Sequence, residues 1–368
     1  MPEKNYLQNK DRYIKDIRNI LLIIFLGFVF YMMKVLYSIL IPLVLAVFAV
    51  LLAHPAASKL ERMKVPRYLV MPVISLSLLA GVFFIANIFI ITFRQFSSEQ
   101  EMLVSQLLNR IESIESVIPL IHDELEFDLN EMIVGLVDRE LITSVVGTTA
   151  KNLGSFGGSF FMFSLYFVIL LNGISASEMY VKKVLGEDIP TGVEKFQNIR
   201  SSLSAYMGIK FVISALTGIF AGLLCYFFGL KFALFFGFLT FLLNFIPSIG
   251  SIIATVPPVL MGFIQFDSSW RTITLLSVLI VIQFTIGNII EPFVMGNKMR
   301  LNTVTVLFGL VFWGFIWGIP GMIASVPMMM IMKLVCEESE SLSIVARVMS
   351  PVNKENTAEI VKAVQKDE

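Results

Sequence analysis

The chain has 368 residues, of which 56% are hydrophobic and only 15% charged, and its mean hydropathy is +0.81. A soluble domain needs far more charge to cover its surface, so this is an integral membrane protein. A formal net charge of +0 offers no footprint for nucleic acid, and the two cysteines (Cys225, Cys336) and two histidines (His54, His122) are too scattered for a structural disulfide or a metal site.

Residues 1–19 are polar, and no short apolar stretch with a small-residue cleavage site follows, so no cleaved leader is read. Apolar runs at 20–33 and 35–53 flank the single charge Lys34. Basic residues precede them (Lys4, Lys10, Arg12, Lys15, Arg18) and follow them (Lys59, Arg62, Lys64, Arg67). Positive charge favours the cytoplasmic side, so the pattern predicts a tight hairpin turning near Lys34. Residues 69–93 form one clean span. Residues 94–151 hold eleven acidic and four basic residues and fit the extracytoplasmic side. Their spacing is helical until Pro119, which suits either a solvated helical loop or a small assembly cap.

The run 152–173 is entered by "NLGSFGGSF", which lacks the Gly-Lys-Ser/Thr ending of a nucleotide loop and predicts a close small-residue helix contact instead. Residues 174–206 mix charges around "LGEDIPTG" and read as two amphipathic pieces at the inner surface. Apolar runs then follow at 211–230, 232–266, 272–290 and 301–332, and the tail from Lys333 is polar and cytoplasmic. A span needs about 20 apolar residues. The 35 residues of 232–266 and the 32 of 301–332 are too long for one span and short for two.

Both long runs carry the same interrupted phrase. "IGSIIATVP" (249–257) and "IPGMIASVP" (319–327) match at five of nine positions, seventy residues apart, and Thr255 aligns with Ser325. Proline removes a donor and glycine loosens the backbone, so each phrase predicts a broken helix. Broken backbone at membrane depth is tolerated only inside protein or beside a wet cavity. Arms of twelve to sixteen residues would reach roughly 18–24 Å, short of a hydrocarbon core of about 30 Å. The expectation is therefore an all-α polytopic membrane protein with inverted repeats and two re-entrant helical hairpins, opening to opposite sides. Segments follow as 1–93 (cytoplasmic tail and three spans), 94–151, 152–206, 207–266 (span and first hairpin), 267–333 (span and second hairpin) and 334–368 (cytoplasmic tail). Inverted repeats with broken helices at their interface build secondary transporters.

"FIPSIGSIIATVPP" followed by "GNIIEPFVMGNKMRLNTVTVLFGLVFWGFIWGIPGMIASVPMM" resembles the AI-2E transporter family, the autoinducer-2 exporter superfamily. The resemblance covers nearly the whole chain and is most specific in the C-terminal half. It implies a multi-pass bacterial inner-membrane transporter, a homo-oligomer, with an elevator-like movement of the hairpin-bearing half. Its members differ in cargo: some export autoinducer-2, and others exchange sodium or lithium for protons.

Candidate transport residues lie where polar groups interrupt the apolar runs. Glu291 stands at the end of 272–290 before Pro292, where it is either a functional carboxylate or a helix-end group paired with Lys298 or Arg300. Gln283 and Asn288 are read with it on one helical stripe. Asn244, Pro247, Ser248, Gly250, Ser251 and Thr255 belong to the first hairpin; Asn302, Thr303, Pro320, Gly321 and Ser325 belong to the second. The hydroxyls either meet cargo or bond back to their own helix. Trp313 and Trp317 share a face for packing or for a sugar-like path. Neutral hydrogen-bonding groups suit a small uncharged polar solute, and exposed carbonyls would suit a cation. No catalytic triad, metal cluster or ATP site is read, so no enzyme activity and no cofactor are expected. Cation/proton exchange and a channel-like or scaffolding role remain as alternatives to export.

Overall fold

Every apolar run identified above must satisfy its own backbone polar groups, and in lipid the helix is the local solution. The computed structural model describes residues 2–115, 157–173, 190–247, 249–296, 301–338 and 342–351; among them there are helices and turns and no strand. We number the helices α1 (Pro2–Val35), α2 (Tyr37–Arg62), α3 (Arg67–Glu115), α4 (Gly157–Gly173), α5 (Pro190–Phe227), α6 (Ala233–Leu243) and α7 (Ile249–Gln265). Next come α8 (Ser269–Phe284), a π-helical turn (Thr285–Ile290), α9 (Glu291–Met295), α10 (Thr303–Trp317), α11 (Ile319–Glu338) and α12 (Ser343–Met349). Five segments are long and apolar enough to cross a membrane: Tyr37–Arg62, Tyr68–Glu99, Gln197–Phe227, Ser269–Met295 and Ile319–Glu337. The protein is thus all-α and polytopic.

Four expectations are corrected. First, the chain does not fold back as a tight hairpin near Lys34. Only Leu36 interrupts the helix (φ −86°, ψ 17°), and helical hydrogen bonds run up to it and away from it. A ψ roughly 60° from the helical value bends an axis and does not reverse it. Beyond the bend α1 exposes Ile20, Leu21, Ile23, Ile24 and Phe25, and it meets the bundle through Phe30, Met33 and Lys34. Second, the span expected at 69–93 runs on without a break to Glu115. Its 49 residues make a rod of about 74 Å, more than twice the hydrocarbon thickness. Residues 116–156 of the external segment, Pro119 among them, lie outside the described residues. Third, residues 190–206 are no separate surface piece: Pro190 opens α5, whose 38 residues run straight into the span. Residues 174–189 lie outside the described residues. Fourth, Gly157 and Gly158 begin α4 with nothing within 4 Å of a built Cβ, so the close contact predicted there is not made among the described residues.

The close contact forms elsewhere. Gly218 and Gly222 on α5 meet Gly237 on α6; a Cβ on Gly237 would lie 2.8 Å from the Gly218 carbonyl oxygen and 2.8 Å from the Gly222 Cα. This small-xxx-small crossing seats the α6–α7 hairpin on α5. Both hairpins break at the repeated phrase as expected. After α6 the chain turns through Asn244–Pro247, and α10 ends at Gly318, which has φ +65°. In each hairpin a glycine lies against the carbonyl of the preceding arm. A Cβ on Gly250 would lie 1.8 Å from Leu243 O, and one on Gly321 would lie 2.0 Å from Trp313 O. Leu243 and Trp313 are seventy residues apart and the two glycines seventy-one, so the sequence repeat is matched by a similar structural contact with a slip of one residue. Arm lengths differ: α6, α7 and α10 have 11, 17 and 15 residues, whereas the 20 of α11 suffice to cross.

Both open ends are tied down. Glu99 and Lys231 pair at 2.5 Å, and Arg110 donates to the Phe266 carbonyl, so α3 grips the mouth of the α6–α7 hairpin. Asn302 caps α10 by accepting from Thr305 N–H, and it donates to the carbonyls of Val348 and Ser350, so α12 grips the mouth of the other.

If the glycine crossing seats the hairpin, Gly237→Leu should lower the melting temperature of the purified protein by several degrees, an overpacking cost of about 1–3 kcal/mol. Gly157→Leu, at a site with nothing within 4 Å of its Cβ, should melt like wild type.

Candidate functional site

Polar side chains inside a membrane protein must find each other. On α5, Ser204, Lys210, Ser214 and Thr217 are all buried, and the last three recur at helical spacing. Each has a partner. Ser204 Oγ donates to Leu51 O at 2.8 Å. That carbonyl is available because Pro55, four residues on within α2, has no N–H to give it. Lys210 Nζ meets Glu291 Oε1 at 2.5 Å. Asn244 Nδ2 donates to Ser214 Oγ at 3.1 Å, fixing the break of the α6–α7 hairpin to α5. Thr217 Oγ1 bonds back to Ile213 O.

A second set joins α7 to α8. Gln283 Nε2 donates to Thr255 Oγ1 at 2.7 Å, and Thr255 Oγ1 donates to Ser251 O at 2.9 Å. Thr255 therefore back-bonds to its own helix and also receives a partner. Gln283 is buried, and its Oε1 has no hydrogen-bond partner among the described residues. Because Lys210 and Ser214 are one turn apart, the ion pair and the Asn244 contact stack within about 6 Å along α5. The result is a polar column running along α5 and α8 past the break in the first hairpin.

The structure thus pairs Asn244 with Ser214, Thr255 with Gln283 and Glu291 with Lys210; Ser251 and Gly250 lie with Thr255 in α7, and Pro247 lies in the preceding turn, where its carbonyl accepts from Ile249 N–H. Ser248 lies outside the described residues. Asn288 is not on the stripe: it is exposed, lying five residues and so about 140° round the helix from Gln283. Pro292 does not end the helix either; α9 continues to Met295 and stops at Gly296, with φ +48°. The partner of Glu291 is Lys210, whereas Lys298 and Arg300 lie outside the described residues. In the second hairpin Asn302 is a cap, Thr303 is exposed, Ser325 bonds back to Met322 O, and Pro320 and Gly321 shape the break. Trp313 and Trp317 pack at 5.1 Å within the core, so they are not open to a path.

Sequence reading missed Lys210 and Ser214. The apolar run at 211–230 begins just past Lys210. The signal was present: "SAYMGIKFVISA" carries one lysine in an otherwise uncharged stretch, and such a charge calls for a named partner.

A profile described as "AI-2E family transporter" matches residues 19–341. The AI-2 transport protein TqsA of Escherichia coli (strain K12) is 24% identical over 323 residues, covering 86% of this chain and 91% of that one. A "Putative transport protein" of Borreliella burgdorferi is 28% identical over 330 residues (86% of this chain, 85% of the relative), and one of Haemophilus influenzae is 26% identical over 310 (83% and 88%).

Loss of an orphaned buried acceptor relieves about 1–3 kcal/mol, while loss of the Gln283–Thr255 hydrogen bond costs about 0.5–1.5 kcal/mol, so the two largely offset. Gln283→Met should therefore melt within a few degrees of wild type in detergent. If the free oxygen serves a solute, the same variant should lose solute-dependent protection against thermal unfolding.

Proposed function

The chain belongs to the AI-2E transporter family, and on that premise we propose that it is a secondary exporter of a small, uncharged, hydroxyl-bearing solute of the autoinducer-2 type. The observation that carries this reading is the polar column. Its charges, Lys210 and Glu291, neutralise each other, and what is left is neutral: Asn244, Ser214, Thr255 and Gln283. Gln283 Oε1 lacks a donor and would accept one from a solute hydroxyl. A free cation at Glu291 would have to displace the Lys210 ammonium, which weighs against sodium or lithium exchange there.

In this reading the two broken hairpins are re-entrant and open to opposite sides, with both termini cytoplasmic. The short arms of α6, α7 and α10 support it, as does the duplicated glycine–carbonyl contact. The unit of α5, α6–α7 and α8, tied internally by Ser214–Asn244, Lys210–Glu291 and Thr255–Gln283, would move as one body against the helices that hold its mouth. Assembly as a homo-oligomer would leave that body free at its lipid face.

Two measurements test the proposal. Proteoliposomes should show gradient-driven flux of autoinducer-2 that Gln283→Met reduces, and no flux of Na+ or Li+ coupled to protons. Cation flux without sugar flux would reverse the assignment. Single cysteines at Ile249 and Ile319, in a background lacking Cys225 and Cys336, should label partially with impermeant thiol reagents, to an extent that changes with added solute. Complete labelling of Ile249→Cys from the cytoplasm and of Ile319→Cys from outside, under all conditions, would mean full crossings instead.

A further inference from the structure

Leu275, Leu279, Gln283 and Ile286 are all buried and mark the inward face of α8. At about 100° per residue they fall within about 80° of one another. Extending the same α-helix would put Glu291 about 160° from Leu275 and Phe293 directly beneath Leu275. Glu291 would face away from α5 and Phe293 would face in. The opposite is found: Glu291 lies on Lys210, and Phe293 is 88% exposed.

The difference is one residue. In the π turn Thr285–Ile290 the Glu291 N–H donates to Ile286 O, five residues back. A π turn holds one residue more than the α turn it replaces, so everything after it lags by about 100°. That brings Glu291 to about 60° from Leu275, inside the buried sector, and turns Phe293 out. Pro292 favours this register, because in an α-helix its ring would strike the Asn288 carbonyl and leave that carbonyl without a donor.

We propose that the π turn is the device that positions Glu291 in the polar column, and that Lys210, fixed on α5, is the positioning residue that receives it. The inference rests on the reading that Glu291 takes part in transport. The titratable groups facing Glu291 among the described residues are Lys210 and Tyr206, both from α5; the π turn and α9 contribute none besides Glu291 itself. Lys210 is 2% exposed, so a carboxylate rotated away would leave an ammonium buried alone.

A stored extra residue makes deletion and insertion unequal. Deleting Gly287 in a Pro292→Ala background, where no ring strikes the Asn288 carbonyl, should turn the segment into plain α-helix and leave Glu291 on Lys210, so the variant should melt like wild type and keep its pH profile of autoinducer-2 flux. Inserting one alanine after Gly287 should rotate Glu291 off α5. It should lower the melting temperature by roughly 5–10 °C and flux by about tenfold, match Lys210→Met, and add nothing in the Lys210→Met background. Lys210→Met/Glu291→Leu should regain the melting temperature and still lack the wild-type pH profile. A deletion as damaging as the insertion, or a silent insertion, overturns positioning by the π turn, and the melting measurement needs no cargo. A wild-type pH profile in the double variant, with the melting pattern intact, overturns the proposal through its premise about Glu291.

Discussion

A lysine ammonium buried within a membrane-spanning helix cannot stand alone, and Lys210 fixes much of this structure by that requirement. Its partner has to come from another helix, at hydrogen-bond distance, with its backbone turned the right way. Glu291 meets those terms at 2.5 Å. Removing either charge would strand the other, whereas replacing both with apolar groups need not cost stability. The pair is therefore weak evidence for stability and stronger evidence for a fixed register between α5 and the end of α8. The π turn, the outward Phe293 and the inward Met295 all follow from that register.

α5 acts as the common wall. Its polar side chains reach α2, the break of the first hairpin and the end of α8, and Gly218 and Gly222 admit the backbone of α6. Close approach of backbone to backbone replaces the hydrophobic effect that would hold helices together in water, since lipid tails are as apolar as leucine. The hairpins are held at their open ends, by Glu99–Lys231 and Arg110 on one and by Asn302 and α12 on the other. Their breaks are held mainly by single glycines against carbonyls and by Asn244. Local rearrangement is thus least costly at the breaks.

The chemistry offered along the column is mostly acceptance of hydrogen bonds from a neutral partner. Thr255 already gives its proton to Ser251 O, Asn244 gives one to Ser214, and Gln283 gives one to Thr255. Among the described residues, what remains along the column is the Gln283 oxygen, near a Lys210–Glu291 pair whose charges cancel. If the column serves a solute as proposed, it would discriminate by hydroxyl position, because a solute lacking the matching donor would leave the oxygen unpaired.

The sequence by itself determined the solvent, the secondary structure and the two breaks. Hydropathy demanded membrane helices, and Asn-Phe-Ile-Pro and Trp-Gly-Ile-Pro could not continue them. The repeated phrase was legible because it depends on neighbours in the chain: proline lacks its own N–H, and glycine its own Cβ. Thr255, Gln283, Asn244 and Glu291 were legible as polar groups that apolar surroundings disfavour. Only the tertiary structure decided which groups meet. The stripe drawn through Asn288 failed because five residues carry it about 140° round the helix from Gln283, and one extra residue in a π turn shifts what lies beyond it by about 100°, so Glu291 came round to Lys210. The bend at Leu36, the 49-residue rod of α3 and the glycine crossing on α5 likewise depend on contacts between segments distant in sequence. Helical period is a local property that composition reveals, whereas pairing across helices depends on the accumulated rotation of each one and is settled only when they pack.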